Sequence, residues 1–467
     1  MGASVLVLGG VAVATYEPGR GEPPHPAVWD SRVSPLVDFV ERERGLSFDH
    51  PVFVDFLSGA DYTREATRSG PDSGDDAERL DRYAGELRAL GVASGRIDLD
   101  AAFNQISDGG TLAFYSPSDQ RIRVRGTTIT VGLRVTLVHE LTHALQDQRF
   151  DLAELQRTSE DESASIALRG LAEGDALRVE NAYQAKELST AERTSYDKEF
   201  ADAVTTSEKA TSDVPEFVSA TFSAPYALGQ PFAVLLFNLG GNLRVDEAFA
   251  DPPSTEEHLF DPASYLEREG ADEVAVRFGG TATLEDPLED PLEDQGPFGA
   301  TSWYLMLAER LDPKVAFDAT LGWNGDDFAA VERDGRTCVR VVFVGDTERD
   351  EDEMAAALSS WAAAMPGGEA DDVEQGGHPG LESCDPGESV DLELTGRTAR
   401  SLALPSVWGY LQANGATALD EGELRCFSRA VIDALSYDQI SDPDSKAFEG
   451  PAFTAQLVAA RTRCGTS

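Results

Sequence analysis

The sequence predicts an α+β protein that is mostly helical, with a small mixed sheet near its N-terminus, a small α/β module after the main body and a disulfide-bonded helical piece at the end. Three observations lead there. Residues 111–115 and 121–125 alternate with period two around Ser116-Pro117-Ser118-Asp119, which is a hairpin signal. From about residue 129 onward apolar residues recur with helical spacing, most clearly at Leu133, Leu137, Leu141, Ala144 and Leu145. Residues 337–344 then read as a strand and residues 353–364 as an amphipathic helix, and all four cysteines fall in the C-terminal third. The divisions expected are 1–30, 31–330, 331–396 and 397–467, with a Gly/Asp/Glu-rich separator at 366–379.

Residues 3–15 form an apolar run too short to cross a bilayer, and the first basic residue is Arg20, so the charged start of a signal peptide is missing. The run reads as the tail of an export signal or anchor, or as a buried strand. A Pro/Gly-rich linker follows. In the hairpin, Arg121, Arg123 and Arg125 share one face, where they meet an acidic substrate or protect an ordinary edge strand. Both readings stand.

His139-Glu140-Leu141-Thr142-His143 is an HExxH run. At 3.6 residues per turn the two His lie about 40° apart on one helix face, within reach of a single ion. Glu140 sits beside them, placed to take a proton from a water on that ion and poorly placed to be a third ligand. With only six His in 467 residues, composition does not explain the pattern. The leucine stripe lies on roughly the opposite face, so the helix is expected to be buried on one side and open to a cleft on the other. A pair of hydrogen-bonded core histidines, or a zinc that only staples, would leave Glu140 without a task. The extension by Gly and a third His is absent, since Gln146 and Arg149 stand at those positions. Asp147, one turn further on, is carried past the ion by a straight helix and is expected to support the site or be solvated.

Residues 167–176 read as a second helix containing Glu173-Gly174-Asp175-Ala176. Together with the HExxH run this resembles the gluzincin metallopeptidases, which implies a zincin-like fold, Zn2+ as cofactor and a peptide or protein substrate. The resemblance makes Glu173 the third ligand, followed by Gly and a small residue that let the helices pack closely, with residues 150–159 as the loop between them. Glu160, Asp161, Glu162 and Asp175 compete as carboxylates, and most of them read as a solvated helix start. It further implies that the strand before the zinc helix is a cleft edge for extended substrate. Residues 225–241 resemble a Tyr-x-x-Gly helix start in which Tyr226 would stabilise an oxyanion. Leu228 stands where that pattern commonly has a basic residue, and Tyr226 packing at a helix N-terminus remains equally open. Residues 252–262, with His258, and residues 322–326 resemble segments of bacterial HExxH proteins of undefined substrate; His258 is read as structural or exposed.

Toward the C-terminus, Leu284-Glu285-Asp286-Pro287 repeats in tandem through Asp294 and reads as an exposed acidic loop. An even number of cysteines without CxxC spacing points to disulfides and an oxidising compartment. Of the three connectivities, sequential pairing of Cys338 with Cys384 and Cys426 with Cys464 is the one expected. The net charge of −46 argues against nucleic acid and against anionic membrane surfaces. Of the 38 basic residues only five are Lys, a composition that fits a halophilic or high-GC source and need not concern the substrate. The sequence thus leads to an extracellular or surface-attached zinc peptidase with His139, His143 and Glu173 as ligands and Glu140 as base. The alternative is a catalytically silent zinc fold that binds or scaffolds a partner at the cell surface.

Overall fold

Pro35 sits in the first turn of α1 (Ser34–Arg44), and the helix stops at Gly45, whose left-handed φ of 68° suits a residue without a Cβ. That helix packs beside a small sheet. Its strands are β1 (Phe53–Leu57), β2 (Ala113–Ser116) and β3 (Arg121–Arg125), with α2 (Gly59–Ala66), α3 (Gly74–Ala89) and α4 (Leu99–Asp108) between the first two. The order is β1-β3-β2, with β1 parallel to β3 and β2 antiparallel to it, so the mixed sheet and the hairpin expected at 111–125 are both present. The computed structural model describes residues 23–67, 74–109, 111–272, 274–276, 295–366, 369–442 and 445–465. The apolar run at 3–15 and the acidic repeats at 284–294 lie outside the described residues.

Two expectations about this sheet change. The strand that precedes the HExxH helix is β3, which is central and paired on both sides, so the edges are β1 and β2, and β2 is the edge against the HExxH helix. The arginines of β3 are also committed: Arg121 pairs with Asp55 at 2.7 Å, Arg123 with Glu65 at 3.1 Å and with Asp119, and Arg125 with Asp108. None of the three is a spare charge for an acidic substrate.

The body is built from α5 (Val131–Phe150), α6 (Leu152–Thr158), α7 (Glu162–Glu187), α8 (Thr190–Ala210) and α9 (Glu216–Ala250). Helix α6 occupies the segment expected to be a loop. Asp151 makes this possible by adopting left-handed φ at the end of α5 while its side chain accepts the Glu154 N–H and caps α6. Asp161 caps α7 in the same way, through Ala164 N–H, as the acidic helix start implied. Helix α9 is longer than the sequence suggests. It begins at Glu216, runs through Pro225 and Pro231, and merges two helices at Gly241, where φ is 66°. Tyr226 therefore lies inside a helix rather than at its start. The apolar residues from Phe217 to Ala224 already pack in the core, and that burial offsets the hydrogen bonds the prolines remove.

Helices α7 and α9 meet at glycines. A Cβ on Gly174 would overlap the Gly229 carbonyl, and one on Gly229 would overlap the Gly170 carbonyl, so the backbones touch without side chains between them.

Short helices α10 (Glu257–Phe260) and α11 (Pro262–Glu267) lead to β4 (Gln295–Gly296), α12 (Ala300–Arg310) and α13 (Pro313–Thr320). The second sheet adds β5 (Trp323–Arg333), β6 (Arg336–Gly345), β7 (Ala370–Gln375) and β8 (His378–Cys384), with α14 (Glu348–Ala364) between β6 and β7. Its order is β4-β5-β6-β8-β7, antiparallel throughout. The separator expected at 366–379 is instead mostly the β7–β8 hairpin, turned by Gly376 and Gly377, both at positive φ. The chain ends in α15 (Thr398–Ser401), α16 (Ala403–Gly415), α17 (Glu421–Asp433), α18 (Tyr437–Ser441) and α19 (Gly450–Cys464).

Two disulfides close this part, Cys338–Cys384 and Cys426–Cys464, the sequential pairing. The first joins directly opposed residues of β6 and β8. One apolar cluster gathers α1, the small sheet and α5, while a larger one extends from Ala84 to Ala460. Trp303, Trp361 and Trp408 all belong to the larger cluster, so its packing crosses positions 330 and 396 without a break. Among the described residues no helix is long and apolar enough to cross a membrane.

Candidate metal centre

The HExxH residues lie midway along α5, and that helix is buried all round rather than on one face. His139 is 3% exposed and Glu140 and His143 are fully buried. The open cleft expected beside them is closed, because α7 crosses α5 on the side opposite the leucine stripe. Helix α7 brings Glu173, also fully buried, against both imidazoles.

The three donor atoms form a nearly equilateral triangle. His139 Nε2 and His143 Nε2 are 3.0 Å apart, and each is 3.1 Å from Glu173 Oε2. A point about 1 Å off the plane of that triangle lies about 2.0 Å from all three atoms, the bond length zinc makes with imidazole nitrogen and carboxylate oxygen. The chemistry of the donors agrees. Two imidazole nitrogens facing each other at hydrogen-bond distance, with a carboxylate oxygen as third member, share one need: positive charge between them. With only protons to supply it, burial works against a charged His139, yet Glu173 and Glu180 outweigh burial and hold its pKa well above the ordinary range. Glu173 is the mirror case, since burial raises its carboxyl but the two imidazoles pull it far down. The residues present fit a divalent ion of the zinc type.

The outward-facing nitrogen of His143 is also held, while His139 Nδ1 faces a carboxylate without hydrogen-bond geometry. His143 Nδ1 lies 3.0 Å from Gln146 Oε1, and Gln146 Nε2 donates to Asp175 Oδ2 at 3.0 Å and to the Ala172 carbonyl at 3.1 Å. Asp175 is fixed in turn by Arg44 at 2.8 Å and Arg178 at 2.9 Å. Asp175 is thus an anchor two steps from the donors and not a competing ligand. On the other imidazole, Glu180 Oε2 lies 3.2 Å from His139 Nδ1. A hydrogen-bonded partner such as Gln146 fixes ring orientation and makes the opposite nitrogen a stronger donor. Asp147 supports the site from behind, accepting the Tyr115 O–H at 2.7 Å; burial pushes its carboxyl up to about 6 against that hydrogen bond.

Glu140 touches β2. Its Oε2 accepts the Tyr115 N–H at 2.6 Å, so the edge strand β2 orients it, while Oε1 has no hydrogen-bond partner among the described residues. Burial, only partly countered by His139, pushes its carboxyl well above the ordinary range. Tyr226 reaches the other side of the centre from α9. Burial, and then the nearby Glu173 charge, push the pKa of its hydroxyl well up, and the Arg169 guanidinium lies 5.7 Å from its ring centre. The glycine contact at Gly174 and Gly229 is what lets a residue of α9 come so near to Glu173.

Sequence reasoning named His139, Glu140, His143, Glu173 and Tyr226, and the structure brings all five together. It passed over Gln146, Glu180 and Arg169. The signal for two of these was there: Arg169, Glu173 and Glu180 are spaced by four and seven residues and share one face of α7. His258 lies elsewhere, buried on α10 with Nε2 2.9 Å from the Glu269 carbonyl. Asp326, in the segment 322–326, collects the indole N–H groups of Trp303 and Trp323 and the N–H groups of Phe298 and Gly299, a structural knot.

A cavity of about 640 Å³ opens further along the same two helices, lined by Ser163 and Ile166 of α7 and by Phe217 and Thr221 of α9. Ile166 is seven residues, or about 10 Å of helix, from Glu173 and on the same face. No family model, curated protein or solved structure matches the chain.

Proposed function

We propose that the protein is a zinc-dependent peptidase of the gluzincin type, with His139, His143 and Glu173 holding the ion and Glu140 acting as general base. The observation that carries this reading is Glu140. A carboxylate whose Oε2 is fixed by the Tyr115 N–H and whose Oε1 is unpartnered among the described residues, buried beside a two-His, one-Glu donor set, is costly to keep unless that free oxygen has a proton to accept. Zinc, when bound there, supplies an acidified water and a polarising charge. The chain's own groups do the rest: Glu140 Oε1 takes a proton and returns it to the leaving amine, and Gln146 holds the His143 imidazole while Glu180 faces that of His139. Tyr226, whose hydroxyl lies near enough to Glu173 for that charge to raise its pKa, is the group on α9 placed to stabilise an oxyanion. The two disulfides fit an oxidising, extracellular setting.

A second reading, a zinc-stapled fold without turnover, draws on the burial of all three donors and of Glu140. The two separate on one pair of proteins. Wild type should carry about one zinc per chain and cleave members of a diverse peptide library, and Glu140→Gln should keep the zinc and lose cleavage by about a thousandfold or more. Wild type that is fully zinc-loaded and cleaves nothing would establish the staple instead.

A further inference from the structure

A second group of potential ligands lies well away from the HExxH residues in sequence, on the turns that join the helical body to the second sheet. Glu257 of α10, Glu269 just after α11 and Asp346 between β6 and α14 each offer one carboxylate oxygen, all within 4.8 Å of one another. Glu257 is only 3% exposed, yet its side chain makes no hydrogen bond or ion pair with any described residue. An ionised carboxylate in that position is costly unless something else satisfies it. Arg425 of α17 is the cation nearby, but its guanidinium is already shared among Asp261 at 2.6 Å, Glu267 and Glu269 at 3.1 Å. Asp261 is further held by Trp408 Nε1 at 2.9 Å and by Gln412. One guanidinium therefore faces five carboxylates, and Glu257 and Asp346 are the two it does not touch.

We propose that Glu257, Glu269 and Asp346 bind a hard divalent cation, Ca2+, which ties α10 and the end of α11 to the turn between β6 and α14. All the donors are oxygen and no His or Cys joins them, which selects a calcium-type ion over zinc. The electrostatics agree with the geometry. Burial, and then the charges of Asp261, Glu269 and Asp346, push the Glu257 carboxyl well above its ordinary range. Burial and a hydrogen bond to Glu267 push that of Glu269 up to about 7. An ion has a way in, because Asp346 is exposed and lines, with Arg425, a cavity of about 640 Å³. With three protein carboxylates and water completing the shell, affinity belongs in the range of extracellular calcium modules, about 10⁻⁴ to 10⁻³ M.

The test uses the full chain dialysed free of calcium with zinc kept in the buffer. Titration with CaCl2 in a calorimeter should show one site, and 10 mM CaCl2 should raise Tm by about 1–3 °C. NaCl at matched ionic strength should give less than half of that. Glu257→Gln and Asp346→Asn should each weaken calcium binding about tenfold or more. Glu257→Gln should also melt no lower than wild type without calcium, since it replaces a buried carboxyl crowded by like charges with a neutral amide of the same size. Asp346, being exposed, carries the test if Glu257→Gln does not fold. The proposal is overturned if no calcium binds, if NaCl reproduces the whole shift, or if the foldable variants retain the calcium response.

Discussion

The helices around His139, His143 and Glu173 and the C-terminal helices after residue 397 are held together by different means. In the first region there is no cysteine. Backbones meet at Gly170, Gly174 and Gly229, and charges such as Asp175 and Arg44 are buried and paired. In the second region Ala460 is the single buried residue of α19, with Phe453 and Leu457 only partly buried against the core, and Cys464 at its end is bonded to Cys426 of α17. Where polar groups must stand at fixed distances, close packing sets them. Where a helix has too little apolar surface to hold itself, a covalent link does.

The comparison is broken most directly at the donors. Glu173→Ala should lower zinc affinity by about a thousandfold or more, measured by competition with a chromogenic chelator, while Asp175→Asn should cost only about 10- to 100-fold through Gln146 and His143. Equal losses would mean that the anchor and the ligand are not distinct.

Next in size is the helix contact. Gly174→Ala should lower stability by about 2–3 kcal/mol or more in chemical denaturation, because the new Cβ has only backbone to push against. Gly422→Ala on α17 meets only the Asp420 carboxylate, at 3.8 Å, and should be neutral or stabilise by up to about 1 kcal/mol. The same substitution thus reads opposite signs in the two regions.

The disulfides sharpen the contrast. They close loops of 46 and 38 positions, worth about 2–4 kcal/mol each. Their local effects should differ. Removing Cys426–Cys464 should speed amide exchange along α19, whereas removing Cys338–Cys384 leaves β6 and β8 in their ladder with little local opening. Zinc content should be unchanged in both.

The last effect concerns acid and appears only below neutral pH. Burial lowers the His258 pKa to about 4 from 6.5. The unfolded chain therefore takes up its proton first, and stability should fall as pH drops from about 6.5 to 4, by up to about 3 kcal/mol. His258→Gln should flatten that part of the stability profile. An unchanged slope would assign acid sensitivity to other groups.

How much of this was legible follows from what each signal depends on. At 3.6 residues per turn, i and i+4 sharing a face is a local rule, so His139 and His143 on one face needed no structure, and Asp161 capping α7 needed only a short polar residue before a helical run. Period-two alternation likewise gave β2 and β3, but which of them is the edge depends on β1, more than fifty residues earlier in the chain. The β7–β8 hairpin was hidden because Gly, Asp and Glu on an exposed ladder resemble a linker. Helix α9 was hidden because prolines usually end helices, and only its burial shows that here they do not.

By itself the sequence determined that His139 and His143 share a helix face with Glu140 beside them and which cysteines are available for pairing, since these rest on residue identity and on spacing within one helix or one count; Glu173 as third member came from the family resemblance. The tertiary structure decided that the centre is closed, that Tyr226 comes near Glu173, that Gln146 holds one imidazole while Glu180 faces the other, and that three acidic residues from α10, the α11 end and the β6–α14 turn face one another. Those facts depend on how closely separate helices approach and which charges they bury, and chain spacing carries no measure of either.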